Sequence, residues 1–206
     1  MHRVIEEILI DNEWRDGDFA RFKRSFDGVN ETLWYRLCIP MVYAHWEGFV
    51  VNSLKTFIQH LNLLQLAPNS IKTNLIVVCL TDSYKSLSGK QSFEQRVEFT
   101  NKFQSTLNQK IKFQKKINTK SNLRSSVLEE ICNMYGFDFQ KFRNVTSEID
   151  RLVNVRNSIA HGENSIVPSQ ENLLNYIAAV KEAMDLFLDE IDIFIESKSY
   201  LLNTVT

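Results

Sequence analysis

Apolar residues recur at helical spacing along most of this chain. Val4, Ile5, Ile8 and Leu9, followed by Phe19, Phe22 and Phe26, mark a first helical region. Asp16-Gly17-Asp18 is expected to break it in two, and Asp27-Gly28 reads as a turn. The richest apolar segment runs from Glu31 to about Leu64, and Pro40 within it is expected to start a new helix or kink one. Beyond Pro40 the apolar row is Tyr43, Val50, Leu54, Phe57, Ile58 and Leu61. Ala67-Pro68-Asn69-Ser70 is a loop. Between 71 and 107 the pattern predicts two less regular helices, NLIVVCL and FEQRVEFTNKFQSTL, parted near Ser88-Gly89. The β-branched residues of NLIVVCL leave a strand open there. Ser126-Val127-Leu128-Glu129 has the form of a capping box for a helix that Gly136 ends. Thr146 or Ser147 should open the next helix and Gly162 stop it. A last helix from about Ser169 to Leu201 carries Leu173, Leu174, Ile177, Val180, Met184, Phe187, Leu188, Ile191 and Phe194. The short link before it predicts an antiparallel hairpin.

Few turn residues support this reading. Three prolines and six glycines in 206 residues are too few for a sandwich or barrel, so the expected class is all-α. The length suits one domain over 1–206, with about 65–140 as an insertion or peripheral region.

Two charges interrupt the apolar stripes. Taking Arg156 as zero on an ideal helix, Ile149 lies at roughly 20°, Ala160 at about 40°, Val153 at about 60° and Leu152 at about −40°. Arg156 therefore stands mid-stripe, where a guanidinium is costly unless it is paired or working. Glu47 lies about 40° from Tyr43 in its own row. The bland explanation is a buried Glu47–Arg156 ion pair, whose disruption would cost about 3–5 kcal/mol. His161 lies with Asn157, Asp150 and Asn154 on an adjoining polar stripe, and its bland role is a helix C-cap.

Net charge is −1, so any nucleic-acid surface must be local. The acid-free stretch from Phe99 to Leu128 holds seven bases. Of these, Lys110, Lys112, Lys115, Lys116 and Lys120 are candidate phosphate contacts. Phe103 and Phe113 read as core before they read as base-stacking platforms. His2, His45 and His60 have no metal spacing, and no metal or other cofactor is expected. His45 and His60 read as ordinary helix residues. Cys38, Cys79 and Cys132 read as buried free thiols, which suits a reducing cytoplasm. No stretch is long and apolar enough for a membrane span.

At this point two segments become distinctive. RNSIAHG, residues 156–162, resembles the R-x(4–6)-H signature of HEPN domains. YAHWEGFVVNSL, residues 43–54, is similar to the Y-A-x-W-E-G-F segment of the MAE-type HEPN group. The resemblance implies an antiparallel helical bundle with extra peripheral helices, dimerising beside the signature helix. It implies a metal-independent endoribonuclease of the kind common in toxin–antitoxin and phage-defence systems. Arg156 and His161 would be its catalytic pair, supported by Asn157 and Glu47. Some HEPN toxins place a tyrosine two residues after the histidine, where a partner nucleotidyltransferase modifies it; here that position is Glu163.

The chemistry agrees. RNA carries its own 2′-OH nucleophile, so cleavage needs proton transfer and charge stabilisation. Histidine as a residue type supplies the first and arginine the second. One such histidine per chain makes a shared site in a homodimer attractive, because the two-fold brings two pairs into one cleft. The alternative is a catalytically silent helical module that binds RNA or a protein partner, as an antitoxin or scaffold.

Overall fold

A computed structural model of the protein describes residues 2–24, 30–80, 84 and 89–202. Phe26, Asp27-Gly28 and Ser88 lie outside the described residues. Eight α-helices occur among those described: α1 (Arg3–Asn12), α2 (Trp14–Phe22), α3 (Glu31–Leu63), α4 (Thr73–Cys79), α5 (Phe93–Leu107), α6 (Ser125–Tyr135), α7 (Arg143–Ala160) and α8 (Gln170–Glu196). The all-α expectation holds, and NLIVVCL is helical as α4. No helix among them is long and apolar enough to cross a membrane.

The long helix α3 is the axis of the core. Ile39, Val42, Tyr43, Trp46, Val50, Leu54, Phe57, Ile58 and Leu61 are almost wholly buried and cover more than one side of it. The hairpin of α7 and α8 packs against it, as do α1 and α2. This is why Val42, Trp46 and Phe49, outside the expected apolar row, are also core: partners on several sides widen the buried face, while a narrow strip at Leu37, Met41, Ala44, Asn52, Lys55 and Gln59 stays exposed.

Several boundaries differ from expectation. α3 runs unbroken through Pro40. Proline removes one helical hydrogen bond, and tertiary packing on both sides compensates for so local a loss. The first break falls at Glu13, and Gly17 sits inside α2. α7 begins at Arg143, led in by a 3-10 turn at Phe139–Phe142. α8 ends at Glu196, and the chain then folds back so that Ile71 and Leu201 form an isolated antiparallel bridge. The anticipated capping box at Ser126 is absent. α6 starts at Ser125, whose backbone N–H and hydroxyl donate to Asp150 of α7 at 2.7 and 2.6 Å, so another helix supplies the cap. Capping boxes form instead at Ser92/Gln95 and Ser169/Asn172.

The side of α3 facing α1 and α2 holds a buried polar cluster. Arg15 donates from Nε to Asn12 Oδ1 (2.8 Å) and from Nη1 to His45 Nδ1 (3.2 Å). Arginine can only donate, so Nδ1 accepts and the His45 proton sits on Nε2, 3.5 Å from Asp18 Oδ2. Trp14, Phe19 and Phe22 enclose the imidazole. A Cβ on Gly48 would lie 3.2 Å from Arg15 Nη2, so this glycine makes room for the guanidinium. His45 is therefore a tertiary contact residue, a larger role than the sequence suggested.

Burial pushes His45 below the usual histidine range and the Arg15 charge adds to that, while Asp18 opposes. His60 is lowered too, by burial and by His2. A histidine depressed in the folded state leaves the unfolded chain with more bound protons below its ordinary value, so stability falls as pH drops through the window beneath about 6.5. The melting temperature is expected to be lower at pH 5.5 than at 7.5, with a shallower slope in His45→Asn, whose Oδ1 can still accept from Arg15. An equal slope in that variant would refute the assignment to His45.

All three cysteines are free. Cys38 and Cys132 are buried and Cys79 half-buried. Burial raises Cys38 to about 11 and the other two to about 12, which makes them poor nucleophiles.

Candidate functional site

The C-terminal turns of α7 present Arg156, Asn157 and His161. Arg156 is half-buried, and its guanidinium carbon lies 4.2 Å from the centre of the Tyr43 ring on α3. Its Nη1 donates to Asn157 Oδ1 at 2.8 Å. That leaves the Asn157 amide nitrogen to donate, and it reaches Asn122 Oδ1 at 3.3 Å. The guanidinium is thus held flat by an aromatic face and in direction by a neighbouring carboxamide.

The expected Glu47–Arg156 ion pair is not made. Glu47 instead accepts from the Thr119 hydroxyl at 2.6 Å. Both charges act on the Tyr43 hydroxyl, which stands between them: burial raises its pKa to about 12, the Glu47 charge adds to the rise, and Arg156 opposes it. Tyr43 stays a neutral phenol. Its oxygen accepts from the Leu123 N–H at 2.9 Å, while Trp46 Nε1 donates to the Leu123 carbonyl at 3.1 Å.

His161 is the residue at which α7 ends. Gly162, at φ 79°, and Glu163 donate to the Ile159 and Ser158 carbonyls, both at 3.0 Å, which is the Schellman pattern. The helix is closed by backbone alone. The imidazole is exposed and has no hydrogen-bond partner among the described residues, so it is available for chemistry.

Residues 108–124 form an ordered strap laid along α3. Asn62 of α3 exchanges two hydrogen bonds with the Phe113 backbone (2.7 and 3.0 Å), and Lys115 Nζ donates to Gln59 Oε1 at 2.9 Å. Further on come the Thr119–Glu47 and Leu123–Tyr43 contacts. The strap therefore runs antiparallel to α3 and delivers its C-terminal end to the Arg156 neighbourhood. Ile111, Phe113 and Leu123 anchor it in the core, as expected for Phe113. Phe103, on α5, is half-buried and stacks on Phe99.

The five candidate lysines are all exposed. Lys120 follows Thr119 directly and pairs with Glu130 of α6. Lys115, at the level of Gln59, stands about 24 Å along α3 from Tyr43, at 1.5 Å per residue. Lys110 and Lys112 precede the Phe113–Asn62 contact, farther from the Arg156 level still. The structure thus brings together Arg156, Asn157, Glu47 and the Lys120 end of the strap, and leaves Lys110, Lys112 and Lys115 at a distance. Lys120 and Ser121 both adopt positive φ (56° and 51°), which non-glycine residues hold only where surrounding contacts require it.

Sequence reading missed Tyr43, Thr119 and Asn122 as parts of this site. Tyr43 opens YAHWEGF and shares a helix face with Glu47, which was the available signal. Thr119 and Asn122 lie in a polar loop with no periodicity to mark them. Among the described residues no cluster of histidine, cysteine, aspartate and glutamate could hold a metal ion.

The family model described as RiboL-PSP-HEPN matches residues 10–196 of the chain. No curated protein and no solved structure matches it.

Proposed function

We propose, on the premise that the chain belongs to the RiboL-PSP-HEPN family, that it is a metal-independent endoribonuclease. The observation that carries this is the arrangement at the end of α7. Arg156 is oriented by Tyr43 and Asn157, and an unpartnered, exposed His161 stands at the terminus of the same helix. His161 moves the proton of the attacking 2′-OH or of the leaving 5′-oxygen. Arg156 stabilises the charge that builds on the phosphorane. Asn157 and Tyr43 position Arg156. Glu47, tied to Thr119, holds the strap in register, and the strap lysines contact phosphates along the RNA.

A complete site needs both a base and an acid, which a second copy supplies. Leu33, Leu37 and Met41 recur every four residues on α3 and are 51%, 56% and 48% exposed. On an ideal helix this apolar row is centred about 100° round α3 from Tyr43 and Glu47, and Arg36, next to Leu37 in sequence, donates to the Ile166 carbonyl of the α7–α8 loop at 2.6 Å. A two-fold contact through this row sets two Arg156–His161 pairs on one cleft. In the cell the protein acts as a cytoplasmic toxin or phage-defence effector under control of a cognate partner.

The test is single-stranded RNA incubated with purified protein in EDTA. Cuts leaving 2′,3′-cyclic phosphates are expected, and Leu37→Glu should yield a folded monomer without activity. Folded, dimeric protein that leaves RNA intact refutes the proposal.

One observation favours a second reading, a silent module that binds RNA or a protein partner as an antitoxin or scaffold. Arg156 already has two structural contacts, with Tyr43 and Asn157. Growth arrest on overexpression would speak for the effector and against this alternative.

A further inference from the structure

A cavity of about 410 Å³ lies between the strap and α6, about 16 Å along α3 from Tyr43 at the level of Leu54. Its volume falls in the range of small-ligand sites. Leu54, Val127 and Ile131 form apolar walls, and Lys116, Lys120 and Gln114 of the strap stand at its mouth. The most informative lining residue is Tyr135. Tyr135 is only 3% exposed, and its hydroxyl, which makes no hydrogen bond to the described residues, keeps some access to open space. The ring is held against Phe57 and Phe137, so it is fixed in place without the hydroxyl's help. A buried phenol normally finds a partner. This one is a donor left unused inside a cavity.

The geometry points to a nucleotide-binding site. The occupant is a nucleoside monophosphate unit, with its base between the apolar walls and its phosphate at Lys116 and Lys120. A planar base offers flat apolar faces and acceptor atoms at its inner edge, where the Tyr135 hydroxyl donates. The Gln114 carboxamide, beside the lysines, offers a further donor to the sugar or phosphate. Lys120 is shared with Glu130, which leaves one net positive charge among these three groups at the mouth, enough for one phosphate. An acyl chain ending in a carboxylate would suit the walls and the lysines but leave Tyr135 unsatisfied.

The shared chemistry has two sources: one nucleotide of a bound RNA strand, or a free mononucleotide that acts on the strap. The strap connects the cavity to the catalytic end, because Lys120 is followed within two residues by Asn122, the partner of Asn157.

Calorimetric titration of the whole protein with AMP and UMP is expected to show binding. Tyr135→Phe and Lys116→Glu should each weaken it about tenfold. Neither should lower the melting temperature, since phenylalanine keeps the ring packing and Lys116 is exposed. A second titration uses single-stranded RNA and the His161→Ala chain, so that the strand stays whole. Displacement of monophosphate by RNA identifies the source as the strand, and simultaneous binding identifies a free nucleotide. RNA affinity that falls in Tyr135→Phe without measurable monophosphate binding also supports the strand. Two results overturn the proposal: nucleotide and RNA affinities that neither variant alters, or decanoate binding that is indifferent to Tyr135→Phe. Monophosphate binding requires no cleavage, so its outcome stands apart from that of the ribonuclease assay.

Discussion

Replacing His161 by alanine is expected to lower the rate of RNA cleavage by about 10²–10⁴-fold, the usual scale of a lost general acid or base. The melting temperature should stay within about 2 °C of the parent. The separation of the two effects comes from how α7 ends. Its stop is made by the Gly162 and Glu163 backbone amides, and His161 contributes only an N–H, to the Asn157 carbonyl at 2.9 Å, that alanine also has. The imidazole is exposed and makes no hydrogen bond to the described residues. His45 could not substitute for it, being buried against Arg15 on another side of α3. The paired measurement is initial cleavage rate and thermal melt on the same preparation. Undiminished cleavage by His161→Ala would place the proton transfer elsewhere.

Arg156→Ala is expected to lower the rate of cleavage as well, by about 10²-fold or more, at a stability cost of about 1 kcal/mol. A buried ion pair with Glu47 would have implied about 3–5 kcal/mol. The structure replaces that pair with a stack on Tyr43 and a hydrogen bond to Asn157 on a half-buried side chain. Such cation–π contacts contribute about 0.5–2 kcal/mol. Removing Arg156 therefore leaves no uncompensated acid behind, because Glu47 keeps its bond from Thr119. Arg156→Lys should restore stability only partly and activity hardly at all, since an ammonium has neither the planar face nor the forked donors. Urea unfolding gives the energies. A loss above about 3 kcal/mol for Arg156→Ala would show that the guanidinium is a buried counter-ion after all.

The contrast between the two residues shows how far a stripe argument reaches. Periodicity placed Arg156 in an apolar row and Glu47 in another, and the structure puts both beside Tyr43. What periodicity lacked was the third body. A tyrosine between two charges lets each find a partner without meeting the other, and no one-dimensional pattern encodes that. The same helix segment does a further job. His45 and Gly48, on another side of α3 from Tyr43 and Glu47, accommodate Arg15 from α2. Within YAHWEGF, therefore, neighbouring residues serve different contacts because successive helical positions point about 100° apart.

The all-α class, the stop at Gly162, the hairpin of the last two helices and the identities of Arg156, Asn157 and His161 are carried by local signals: helical periodicity, a left-handed glycine and a short motif. The continuity of α3 through Pro40, the capping of α6 by Asp150, the course of the strap and the setting of Tyr135 come from tertiary structure. Each depends on groups far apart in sequence, where packing energy outweighs local preference. Pro40 is carried by burial around it, and Ser125 is capped by a carboxylate 25 residues away. The strap has no periodicity, and its place is set by hydrogen bonds to Asn62, Glu47 and Tyr43 that exist only once α3 is formed.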